Sequence, residues 1–110
     1  MNEFLKDLHD KLDAKLGQDI VTIDFRGHSP LFDYMMIVSA LNERNANSLA
    51  DICAEVARKH NQEIISVDNA KESGWLVVDL NDVVVHIFYD GRREFYDLEG
   101  LWKDLGILKM

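Results

Sequence analysis

The chain has 110 residues, 47% apolar and 29% charged, with a single proline, which is the composition of one globular domain with room for one core. Twenty acids against twelve bases leave a net charge of −8, which disfavours general nucleic-acid binding and suits either a basic protein partner or solubility alone. No apolar run reaches the length of a membrane span, so no membrane association is expected.

The first residues, MNEFLKDLHDKL, carry acids from position 3 and no apolar h-region, unlike a secretory signal or an arginine-rich transit peptide. Leu5, Leu8, Leu12 and Leu16 recur at helical spacing and predict a helix over residues 3–16, capped by Asn2 and ended by Gly17. Ile20–Phe25 is rich in β-branched residues and reads as a strand, and Gly27, Ser29 and Pro30 mark the loop after it. The apolar run Tyr34–Ala40 predicts a strand buried on both faces. Leu49, Ile52, Cys53 and Val56 give one buried face to a second helix over residues 43–59, with Asn42 or Asn45 as its cap. Cys53 is the single cysteine and reads as a buried thiol in a reducing, cytoplasmic setting. Glu63–Val67 is expected to be a third strand and Asp68–Ser73 a polar turn region.

Trp75–Leu80 and Val83–Tyr89 read as a hairpin closed by Asn81-Asp82, both tolerant of left-handed backbone. That loop sets Leu80 opposite Val83, Val78 opposite Val85 and Leu76 opposite Ile87, which makes one face almost wholly apolar. The other face carries Trp75, Val77, Asp79, Val84, His86 and Phe88. Leu98, Leu101 and Trp102 sit at helical spacing and are expected to dock a short terminal helix on the core. The whole, residues 1–110, is expected to be a single α/β domain with a mixed sheet of about five strands flanked by the two longer helices.

The segments Asp82-Val83-Val84-Val85-His86-Ile87-Phe88 and Arg93-Glu94-Phe95-Tyr96-Asp97-Leu98-Glu99-Gly100-Leu101-Trp102 resemble those of the ribosomal silencing factor, or Iojap-related, family. Upstream, Gln18-Asp19-Ile20-Val21, Asp24, Gly27, Ser29 and Asp33-Tyr34 fit the same pattern, so the resemblance covers residues 3 to 103. It implies a compact fold similar in outline to nucleotidyltransferases. The chain departs from the pattern between Ser39 and Asn47, where Ala40-Leu41-Asn42-Glu43 replaces a small-residue run and Asn45 replaces a histidine. Asn69 also stands where the family usually has glycine, and any function carried by the divergent strand-to-helix turn is left open.

The chemistry of a nucleotidyltransferase has no counterpart in these residues. It needs a Gly-Ser pair for phosphate and paired carboxylates for magnesium, whereas Ser73-Gly74 is in the reverse order and Asp79 lacks a partner acid on its strand. Asp97-x-Glu99 has the spacing but lies at the start of the terminal helix, where acids favour the dipole. The six glycines never cluster into a phosphate loop, and His9, His28, His60, His86 and Cys53 show no metal-ligand spacing. The expectation is a protein that is not an enzyme and has no cofactor or metal.

The resemblance implies instead binding to the large ribosomal subunit through ribosomal large-subunit protein fourteen, with steric blocking of small-subunit joining and lower translation when nutrients are scarce. Trp75, His86, Phe88, Arg93 and Tyr96 are the candidate contact residues. Trp75 and Phe88 are plain core if a helix covers their face and an apolar docking patch if it is open. His86 reads either as a packed, hydrogen-bonded structural histidine or as an interface contact. Arg92 and Arg93 either grip carbonyls and carboxylates of a partner or pair with Asp90, Glu94 or Asp97. An open apolar patch could also self-associate, giving a homodimer in the free state. The alternatives are a divergent nucleotide-processing enzyme on the same fold and an interaction domain with a non-ribosomal partner.

Overall fold

The structure, a computed structural model, describes residues 2–70 and 72–108. The elements run α1 (Glu3–Ala14), β1 (Gln18–Asp24), β2 (Tyr34–Ser39), α2 (Glu43–Lys59), β3 (Ser66–Ala70), β4 (Trp75–Asp79), β5 (Val83–Phe88), α3 (Arg92–Tyr96), α4 (Leu98–Leu101) and β6 (Ile107–Leu108). The strands form one mixed sheet in the order β3-β4-β5-β2-β1-β6, with β2 and β5 parallel and the other pairs antiparallel. The sixth strand, beyond the five expected, is a two-residue edge on β1.

Both long helices lie on the same face. Phe4, Leu5, Leu8 and Leu12 of α1 and Leu49, Cys53 and Val56 of α2 pack on Met36, Val38, Leu76, Val78, Val85 and Ile87. The caps follow local chemistry: Asn2 Oδ1 accepts from Leu5 N–H at 2.9 Å, and Asn42 Oδ1 accepts from Asn45 N–H at 2.8 Å. At the end of α1 the left-handed residue is Leu16 (φ 71°), not Gly17. Gly17 serves close approach instead, since a Cβ there would lie 2.8 Å from Leu12 O.

The hairpin register is the expected one. Val78 pairs with Val85 and Leu76 with Ile87, Leu80 N–H donates to Val83 O at 2.9 Å, and Asn81 takes the left-handed backbone at φ 72°. Two strands differ from expectation by more than one residue. β1 starts two residues earlier, at Gln18, through a bulge that holds Asp19 at φ 52°. The third strand is Ser66–Ala70, not Glu63–Val67. Residues 62–65 are the crossing from α2, anchored by Gln62 N–H to Ala57 O, and the ladder opens with Ile65 N–H to Asp79 O, both 2.8 Å. Polar residues at this edge are held by backbone pairing to β4 rather than by burial.

The divergent turn carries its own support. Asn45 Oδ1 accepts from Leu41 N–H at 3.0 Å and its Nδ2 donates to Lys15 O at 3.1 Å. Glu43 and Asn69 meet at one hydroxyl. Tyr89 Oη lies 2.8 Å from Asn69 Oδ1 and 3.3 Å from Glu43 Oε2, tying edge strand, helix start and hairpin end together.

Candidate functional site

The sheet face away from the long helices is covered only in part. Side chains of alternate residues place Asp68 of β3, Trp75, Val77 and Asp79 of β4, Val84, His86 and Phe88 of β5, and Met35 and Ile37 of β2 on it. The segment after β5 folds back over one end, because Gly91 (φ 70°) and Asp90 (φ 56°) turn the chain sharply. A second, smaller cluster forms there from Ile23, Phe25, Met35, Ile37 and Phe88, with Trp75, Tyr96, Leu98 and Leu105 packed against it.

Trp75 is the hub. Its ring centroid lies 4.6 Å from Tyr96, 5.3 Å from Phe88 and 5.6 Å from His86, all in tilted contact. Trp75 Nε1–H donates to His86 Nδ1 at 3.0 Å, and Tyr96 Oη–H donates to Ser73 O at 3.2 Å. Burial pushes the His86 imidazole down to about 4, so the ring is neutral at pH 7. Trp75 and Tyr96 are half-buried, whereas Phe88 is 1% exposed and lies beneath them. Four of the five expected contact residues therefore form one aromatic group. Phe88 is its floor and reaches no solvent in this state.

Arg93 is placed differently. Its Nε donates to Glu99 Oε1 at 2.7 Å and its Nη1 to Ser39 Oγ at 2.8 Å, tying the terminal segment to the end of β2. Its ion-pair partner is Glu99, not Asp90, Glu94 or Asp97. Asp19, Glu94, Asp97 and Glu99 line a cleft of about 310 Å³ together with Arg93 and Ser39. Four carboxylates at one cleft oppose the entry of a nucleotide phosphate.

The terminal helix is also looser than expected. It consists of two short pieces broken at Asp97 (φ 46°), and Asp97 Oδ1 caps the second by accepting from Gly100 N–H at 3.2 Å. Leu98 packs on the second cluster, but Leu101 is 67% exposed and Trp102 39%, the latter meeting Phe25 edge-on at 5.3 Å. Phe95, 64% exposed and stacked on Tyr96 at 5.1 Å, extends the apolar surface. Phe95 is not among the candidate contact residues read from the sequence, although it stands beside Tyr96 in the same motif. Among the described residues no group of three or more His, Cys, Asp or Glu could hold a metal, and no helix is long and apolar enough to cross a membrane.

Comparison with known proteins adds an independent line. Residues 1–109 match the family model described as ribosomal silencing factor during starvation. The Haemophilus influenzae protein named ribosomal silencing factor is 36% identical over 95 residues, covering 86% of this chain and 93% of that one. Its Bacillus subtilis namesake is 33% identical over 92 residues, covering 84% and 78%. A solved structure from Chromobacterium violaceum superposes with a TM-score of 0.84 at 28% identity, covering 94% of this chain and 88% of that one.

Proposed function

This chain belongs to the ribosomal silencing factor family, and we propose that it represses translation in the cytoplasm by docking on the large ribosomal subunit. The contact is ribosomal large-subunit protein fourteen, on the face that meets the small subunit, and the bound domain blocks subunit joining by occupying that space. The observation that carries this reading is the family match over nearly the entire chain. The aromatic group on the half-covered sheet face supplies the surface. Trp75, Tyr96 and His86 are the direct contacts in this reading, while Phe88 supports their rings and Arg93 holds the covering segment in place. Aromatic anchors of this kind contribute on the order of 2 kcal/mol or more each when an interface seals over them. The net charge of −8 suits a basic ribosomal protein.

The same exposed apolar surface, with Phe95 at its rim, supports a homodimer in the free state that opens on the ribosome. Sucrose-gradient sedimentation with isolated ribosomal subunits tests the central reading. Co-migration with the large subunit, together with fewer joined ribosomes when small subunits are added, is the expected result. Protein that stays at the top of the gradient at low salt overturns it. Trp75→Ala combined with Tyr96→Ala is expected to abolish co-migration.

A further inference from the structure

His86 lies in the uncovered strip of the sheet, flanked by half-buried Val77 across the ladder and half-buried Val84 on its own strand. An indole N–H can only donate, so His86 Nδ1, 3.0 Å from Trp75 Nε1, accepts with its lone pair. The single proton of the neutral ring then sits on Nε2. Among the described residues Nε2 has no hydrogen-bond partner, and it is not sealed away, since the one sealed side-chain polar atom without a partner is Thr22 Oγ1. The Nε2–H therefore meets solvent at the floor of this face, although the residue as a whole is only 9% exposed. Water satisfies such a donor in the free protein. Anything that covers the face must bring an acceptor or strand the N–H. Asp68 and Asp79 share the face, on β3 and β4, so a carboxylate acceptor would enter against like charge. A neutral carbonyl meets no such opposition.

Resting on the ribosomal reading, we propose that His86 Nε2–H donates a hydrogen bond to a neutral carbonyl oxygen of the protein that covers this face. Trp75 is the positioning residue in this arrangement, because its indole N–H fixes the tautomer that presents the donor outward.

Two measurements on the full chain test it. Nitrogen-15 spectra of the free protein are expected to show the Nε2–H tautomer of His86, and Trp75→Phe is expected to give a mixture of both tautomers. In large-subunit binding, His86→Met, similar in volume but without a donor, is expected to weaken affinity about tenfold, while His86→Gln, which retains an N–H near the Nε2 position, stays within about threefold. An Nδ1–H tautomer in the parent overturns the proposal whatever the variants do. A parent that binds and a His86→Met variant that binds equally well overturn the proposal alone. A parent that fails to bind removes the ribosomal reading and the proposal with it.

Discussion

A neutral buried histidine and a buried thiol each carry a measurable consequence. His86 has its pKa lowered from 6.5 to about 4 by desolvation. As pH falls below 6.5 the unfolded chain takes up a proton that the folded chain refuses, so stability declines until pH reaches about 4. The integrated loss is about 3 kcal/mol. Urea unfolding is expected to show a lower midpoint at pH 4.5 than at pH 7, and His86→Gln is expected to flatten that dependence. Asp7 acts in a separate window. Hydrogen bonds from His60, Lys11 and Lys59 hold its carboxyl well below the usual range, so its contribution fades only as pH falls below 3.8. Burial pushes the Cys53 thiol up to about 12, leaving almost no thiolate near neutrality. Cys53 is expected to resist a thiol reagent at pH 8 in the native protein and to react fully once the chain is unfolded in urea.

Element boundaries show which local signals suffice. The second helix begins and ends where its apolar stripe and Asn42 cap place it, because both determinants lie within the helix and its first neighbour. β3 does not, because Ile64 and Ile65 mimic a strand while the hydrogen bonds that define one come from β4. The link from Asn69 to Tyr89 then matters more than its polar sequence suggests. Asn69→Gly is expected to destabilise the domain by about 1–2 kcal/mol through the lost hydrogen bond and the added chain entropy. Thermal unfolding measures it. Gly74 lies beside Tyr89 in the turn between β3 and β4, with φ 68°, where a Cβ would lie 2.8 Å from Tyr89 O. Gly74→Ala is expected to cost about 2–4 kcal/mol from left-handed strain and that clash, seen as a lower urea midpoint.

At the scale of the molecule, charge and topology have different reach. A net charge of −8 acts over the Debye length, so association with the basic ribosomal protein proposed as partner is expected to slow as salt rises, while dissociation changes little. Stopped-flow rates at two ionic strengths check this. The sequence by itself determined the second helix, most of the first, the hairpin register and the two faces of that hairpin, since these depend on periodicity, caps and a two-residue turn. It also brought Trp75, His86 and Phe88 onto one face, because residues two apart on a strand and paired across a hairpin must share a side. Tertiary structure alone decided how much of that face is open. Both long helices went to the opposite side, and the cover came from a short terminal segment held by the pairing of Arg93 with Glu99 and Ser39. No local pattern encodes that choice, because it rests on contacts between residues 54 positions apart, Ser39 and Arg93, made only once the sheet has formed.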